Sequence, residues 1–298
     1  MPGELTSGLS LDMVVWLQNN GNDFFDALAK ILHFMGRNTF YLLALSSVYW
    51  SLDKRLGRRL LFALLIGSLL NTFIKEIVRE PRPFQAYPDR VHALVEQAGY
   101  SFPSGHVMQV IVVWGTAAAY TGRRRFYVLV GGFALLMAWA RLYAGVHYPQ
   151  DVIGSVIFGL LTWRLLPPLF RFAALYAERA PLHSQIAAVF LIGFIALTIG
   201  FTDPDGVAVA GILWGAGFGV IVERRRIRFP VSGAPSQRLL RYLLGIALVG
   251  GLYSGLGMLA GDTQPIRLLP VLTLVGFMAL AGWPYLAQKI GLLSQSED

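Results

Sequence analysis

Eight side chains in three short blocks have the types and spacing for work on a phosphate: Lys75 and Arg82, then Ser104, Gly105 and His106, then Arg141, His147 and Asp151. The first block reads Lys75-Glu-Ile-Val-Arg-Glu-Pro-Arg82-Pro83, the second Pro103-Ser104-Gly105-His106. The third reads Arg141-Leu-Tyr-Ala-Gly-Val-His147-Tyr-Pro-Gln-Asp151. A compact ammonium and a planar guanidinium complement one another on phosphate oxygens. A Pro-Ser-Gly segment opening a helix adds unpaired amides, a hydroxyl and a position without Cβ, where an anion can approach the backbone. His106 can give or take a proton. A carboxylate at Asp151 bonded to one nitrogen of His147 would fix its tautomer and leave the other nitrogen nucleophilic. This is what phosphoryl chemistry without a metal would require.

Each block lies at the edge of a long apolar run, so the elements that position them are membrane helices. Only 14% of the 298 residues are charged, 55% are hydrophobic and the mean hydropathy is +0.55, far from the composition of a soluble domain. Apolar stretches of spanning length recur along the chain. About nine spans are predicted, near 37–52, 59–78, 104–121, 126–147, 150–167, 184–202, 206–222, 238–260 and 267–288. The stretch Leu11 to Phe34 alternates apolar and polar residues and is expected to lie along the interface. The fold class is therefore all-α, a polytopic membrane helix bundle. The absence of cysteine excludes disulfides, thiolate metal sites and cysteine nucleophiles. The stretch Met1 to Asn22 lacks the pattern of a cleaved signal peptide.

Basic clusters follow alternate spans: Lys54, Arg55, Arg58 and Arg59; Arg123–Arg125; Arg171 and Arg179; Arg224–Arg226 and Arg228. They would mark the cytoplasmic side and put the three blocks, and the N-terminus, on the other face. Topology, not nucleic acid, accounts for the net charge of +8. Within the first block, Asn71 shares a helix face with Lys75 and can orient it. Pro149 should open the helix that carries Asp151 in its first turn. Arg79 and Arg90 read as ordinary loop charges, and the loop Phe84 to Phe102, with Tyr87, His92 and Tyr100, is placed to close over a headgroup.

At these residues the chain resembles the type-2 phosphatidic acid phosphatase (lipid phosphate phosphatase) superfamily, which also includes vanadium haloperoxidases. All three spacings match, with Ala140 where the family pattern has a serine before its arginine. The resemblance covers roughly residues 20 to 170. It implies that His147 attacks phosphorus to form a phosphohistidine, that Asp151 orients it, and that His106 protonates the leaving oxygen and then activates water. It implies that Lys75, Arg82, Ser104, Gly105 and Arg141 hold the phosphate, with no metal and no cofactor. It also implies a six-helix phosphatase core, residues 1–170, followed by additional membrane helices over 171–298. Those helices carry Gly211-x-x-x-Gly215-x-x-x-Gly219 and Gly251-x-x-x-Gly255, spacings that allow close packing within the chain or in a homodimer. A chain of about nine spans with an outside N-terminus is similar to both sphingosine-1-phosphate phosphatases and glucose-6-phosphatase, and the stretch Leu52 to Arg59 with the run into Lys75 looks more like the former.

The expected activity is hydrolysis of a phosphoric monoester, with a membrane lipid phosphate or pyrophosphate as substrate and a bacterial plasma membrane as location. Two alternatives stay open at this level. One is a phosphatase for a soluble sugar phosphate. The other is a lipid or anion transporter whose cations line a path, although the last four spans are nearly without ionisable residues in their apolar runs.

Overall fold

The computed structural model describes residues 8–201, 203–260 and 265–293, and among them every regular element is a helix. In chain order these are α1 Leu9–Asn19, α2 Asp23–Gly36, α3 Asn38–Ser47, α4 Lys54–Val78, α5 Pro83–Ala86, α6 Gly105–Gln109 and α7 Gly115–Thr121. They continue as α8 Arg124–Tyr143, α9 Pro149–Arg179, α10 Leu182–Gly200, α11 Pro204–Val222, α12 Pro235–Ala260, α13 Leu269–Phe277 and α14 Trp283–Lys289.

Among the described residues, seven segments are long and apolar enough to cross a bilayer: Lys54–Ala86, Arg124–Tyr143, Pro149–Arg179, Leu182–Gly200, Pro204–Ile227, Pro235–Leu256 and Ile266–Lys289. The chain is a multi-pass membrane protein. The other two of the nine expected spans are helical but shorter. The first expected span is the ten-residue α3 running into a five-residue π-helical turn, Val48–Leu52. The third is α6 and α7 joined by a π-helical turn, Val110–Trp114. Residue 202, the last of the sixth expected span, lies outside the described residues.

The fifth span also departs from expectation. Apolar side chains continue on both sides of Pro167 and Pro168, and α9 runs through the proline pair to Arg179. Arg171 and Arg179 therefore belong to the helix, not to a loop after it. The stretch read as one interfacial segment is two helices, α1 and α2. Asn22 caps α2 by accepting from the Phe25 amide at 3.0 Å, and Asp23 and Asp26 face its positive end. Its Ala29 and Leu32 are then buried with Val107, Val110, Ile111, Ala134, Met137, Ala140 and Tyr143. That cluster docks α2 against α6 and α8.

The chain divides into two compact units. One comprises residues up to Tyr41 and Ile66–Pro167, the other Leu42–Leu65 and the residues from Pro168 onward. All three motif blocks fall in the first. Its long loop after α5 is fastened through main-chain groups: Leu94 N donates to Ala144 O at 3.1 Å and Ser101 N to Glu80 O at 2.8 Å. Gln18 of α1 adds a bond to His92 O at 2.8 Å.

The second unit is tied by its own polar contacts. A π-helical turn displaces carbonyls from the helical ladder, and at Met278–Gly282 two of them accept from Tyr49 Oη (2.9 Å) and Trp50 Nε1 (2.8 Å). Lys54 Nζ lies 2.6 Å from buried Glu223. Of the two glycine series, Gly211, Gly215 and Gly219 press α11 onto α13 and the turn after it. A Cβ at Gly211 would come within 2.8 Å of Leu272 and one at Gly219 within 2.7 Å of Leu280. No described atom comes within 4 Å of a Cβ built at Gly251 or Gly255.

Candidate active site

Each block is positioned by a different helix end. Lys75 stands in the last turn of α4, and Arg82 is the extended N-cap of α5, with Pro83 setting the first helical φ. Ser104, not Pro103, begins the second block's helix as its extended N-cap, so the proline precedes the first turn instead of occupying it. Arg141 sits in the last turn of α8, and Asp151 in the first turn of α9. Between them the chain turns sharply at Gly145, whose φ of +71° favours glycine and where a Cβ would meet the His92 carbonyl.

The second and third blocks meet through Ser155, one turn along α9. Its hydroxyl donates to Asp151 O at 2.6 Å and to Ser104 O at 2.9 Å, while Ser104 N reaches Asp151 O at 3.3 Å. Asn71 joins the first block to the second, its amide donating to the Pro103 carbonyl at 3.1 Å. A Cβ at Gly105 would stand 3.1 Å from Asn71 Oδ1, so glycine lets the two strands of chain approach.

His147 and Asp151 form a buried pair. Asp151 Oδ2 accepts from His147 Nδ1 at 3.1 Å, from Tyr148 N at 2.8 Å and from the Ser101 hydroxyl. With Nδ1 as donor, the lone pair of the imidazole is on Nε2, and Arg82 Nη1 lies 3.3 Å from it. Burial pushes the His147 pKa well below the usual histidine value, and the cations of Arg82, Arg141 and Lys75 push it the same way. The ring is neutral at physiological pH.

The cations are held mostly by uncharged acceptors. Arg82 donates to Ala98 O and Val146 O, each at 2.8 Å, and to Gly99 O at 3.0 Å. Lys75 Nζ donates to Tyr100 O. Arg141 Nη1 donates to His33 Nδ1 at 2.8 Å, and Nη2 to Gln97 Oε1 at 2.7 Å. Three buried polar atoms of the motif residues have no hydrogen-bond partner: the Arg141 Nε donor, the Ser104 hydroxyl and the acceptor Asp151 Oδ1. Buried donors are rarely left so unless a further group completes them.

The structure thus brings Arg82, Ser104, His147 and Asp151 into one connected cluster, and Arg141 and His106 into another through α2. Ser101, Ser155, Gln97 and His33 take part and were not foreseen. Ser101 and Gln97 come from an irregular loop with no periodic signal. His33 could have been found as a histidine beside Leu32 on the buried face of an amphipathic helix. Arg79 and Arg90 lie where ordinary surface charges do, paired with Glu76 at 3.3 Å and Asp12 at 2.9 Å.

Over residues 56–174 the chain matches the family model described as PAP2 superfamily. Over 207–296 it matches that of the PAP2 superfamily phosphatase transmembrane extension. Sphingosine-1-phosphate phosphatase 2 of Homo sapiens is 28% identical over 167 residues, covering 54% of this chain and 42% of that protein. Phosphatidylglycerophosphatase B of Bacillus subtilis (strain 168) is 33% identical over 118 residues, with 36% and 55% covered. Undecaprenyl-diphosphatase BcrC of the same strain is 36% identical over 110 residues, with 37% and 53% covered. The chain spans about half the length of these relatives.

Proposed function

Since the chain belongs to the PAP2 superfamily, we propose that it is an integral-membrane phosphohydrolase that releases phosphate from a lipid phosphate through a phosphohistidine on His147. The observation that carries this reading is the His147–Asp151 pair: a neutral imidazole with its Nδ1 proton held at 3.1 Å by a buried carboxylate. Its Nε2 lone pair is turned toward Arg82 Nη1 at a long 3.3 Å, a contact that attack on phosphorus would displace.

In the first step Nε2 attacks phosphorus, a P–N bond forms and the P–O bond to the lipid breaks. The leaving oxygen takes a proton from His106. The positive charge that develops on His147 is balanced by Asp151. In the second step water attacks the phosphohistidine, gives its proton to His106, and the P–N bond breaks to restore His147 and free phosphate. Arg82, Arg141, Lys75 and the Ser104 hydroxyl supply positive charge and donors for the phosphoryl oxygens, with Gly105 leaving the backbone open to them. A single donor placed in this way contributes on the order of 10²–10³ in rate. No step calls for a metal.

Arg141 Nε and Ser104 Oγ, buried without partners, support a phosphate between the second and third blocks. The exposed apolar faces of the spanning helices favour a substrate whose tail lies in the bilayer over a soluble sugar phosphate. The basic clusters at Lys54–Arg59, Arg123–Arg125 and Arg224–Arg228 support a site on the non-cytoplasmic face of a bacterial plasma membrane. The unapproached Gly251–Gly255 face of α12 is the surface this reading would give to a homodimer.

Phosphate release by the purified chain in detergent with EDTA present tests the proposal. The panel is phosphatidylglycerol phosphate, sphingosine-1-phosphate, phosphatidic acid, a polyprenyl diphosphate and glucose-6-phosphate. Turnover of a lipid substrate is expected in the wild type, with an acid-labile phosphoenzyme, and neither is expected in His147→Ala. Turnover in His147→Ala, or its abolition by EDTA, would overturn the mechanism.

A further inference from the structure

We infer that His33 is a positioning residue for Arg141 and His106, supplied by a helix that lies outside residues 56–174 matched by the superfamily model. The inference rests on the phosphohydrolase reading above.

A guanidinium only donates, so the 2.8 Å contact between Arg141 Nη1 and His33 Nδ1 requires the lone pair of His33 on Nδ1 and its proton on Nε2. His33 is therefore neutral, as is the other group on this fork, the Gln97 amide at 2.7 Å from Nη2. A carboxylate at either place would fix the guanidinium equally well but would cancel the charge that attracts a phosphate. An imidazole and an amide fix the plane and leave the charge intact, with Nε–H unpartnered. The fork is thereby anchored along one edge while its other donors stay available to an anion.

The same residue also holds His106. The two rings are nearly parallel, 9° apart with centroids separated by 5.1 Å, and the His33 carbonyl lies 3.2 Å from His106 Nε2. One turn on, α2 presents Gly36, where a Cβ would collide with the His106 ring. Docking of α2 through Ala29 and Leu32 thus sets the phosphate-facing cation and the proton-transfer histidine together. A histidine that merely filled the core would need neither the Arg141 bond nor the stack.

Inhibition by inorganic phosphate, measured beside kcat and KM on the full chain in detergent, tests this. His33→Phe keeps a flat ring against His106 and removes the acceptor. His33→Asn returns an amide oxygen near the place of Nδ1. Removing a hydrogen bond to a charged group is expected to weaken phosphate inhibition and kcat/KM by about 10- to 100-fold in His33→Phe. His33→Asn should stay within about threefold of the wild type in phosphate inhibition while losing kcat through the missing stack. A folded His33→Phe with wild-type inhibition overturns the inference. So does a His33→Asn that binds phosphate tenfold or more weakly, a result that stands even if His33→Phe does not fold. Should the His33 variants match the wild type while His147→Ala is inactive, the positioning role fails and the phosphohydrolase reading survives. If the folded wild type cleaves no substrate, the phosphohydrolase reading itself fails.

Discussion

Gly36→Ala adds one methyl group at the point where α2 meets the proposed proton-transfer histidine. A Cβ there would overlap Cδ2 of His106 and crowd the rest of the ring, so something must move. Two movements are available. α2 could withdraw, but Ala29 and Leu32 are buried in the cluster with Met137 and Ala140, and His33 is bonded to Arg141. His106 could instead rotate, losing its stack and its bond to the His33 carbonyl. Overpacking of this kind costs about 1–3 kcal/mol. A displacement near 1 Å of a group that must meet the leaving oxygen is enough to lower the rate on the order of 100-fold. The expected variant is therefore folded and modestly destabilised, with kcat down about 100-fold and KM changed much less. The assay is phosphate release over a range of lipid substrate in mixed micelles, with thermal unfolding of the same preparation. Wild-type kcat in Gly36→Ala would refute the placement of α2 against His106.

Asp151→Asn keeps the shape of the carboxylate but not its charge, and weakening its bonds to His147, Tyr148 and Ser101 should lower kcat roughly 10- to 100-fold without unfolding the protein. Asp151→Ala leaves all three donors unsatisfied at about 1–3 kcal/mol each. That is comparable to the stability of a domain, and gel filtration should show little folded material. A second expectation concerns pH. Burial, then Arg141 and Arg37, hold the His33 pKa down to about 4 from 6.5, so the folded protein favours the neutral ring. This contribution is whole above pH 6.5 and is lost as the pH falls toward 4, diluted by the partial exposure of the ring. Between those pH values the wild-type unfolding temperature should drop more than that of His33→Asn, and parallel curves would count against the neutral pairing.

The candidate site of this chain was more legible in its sequence than the lengths of its helices. Lys75, Arg82, Ser104, Arg141, His147 and Asp151 could be read because each follows or opens an apolar run, and a change of environment leaves a compositional edge. Asp151 falls in the first turn of α9 as Pro149 suggested. Hydropathy alone could not show that α3 and α6–α7 are shorter helices carrying π-helical turns, since those turns leave the apolar pattern unchanged. Nor could it show that α9 continues past Pro167, because neighbouring apolar surface outweighs the local signal of a proline pair. His33, Gln97, Ser101 and Ser155 were invisible for another reason. Their decisive contacts join residues distant in sequence, such as the 108 positions between His33 and Arg141 or the 51 between Ser155 and Ser104.

The loop between α5 and α6 is held by Arg82 and Lys75 through the carbonyls of Ala98, Gly99 and Tyr100. Every amino acid carries that acceptor, proline included. The course of residues 98–100 is thus set by main-chain groups, while side-chain identity matters at Val91, buried with Leu11 and Val14, at Gln97, whose amide meets Arg141, at Gly99, with a φ of +70°, and at Ser101, which donates to Asp151. Randomising residues 93, 95, 96, 98 and 100 would therefore change the surface offered to a headgroup while the scaffold beneath it stayed in place. If the proposed function holds, loop diversification is expected to alter substrate range while the three motif blocks stay untouched.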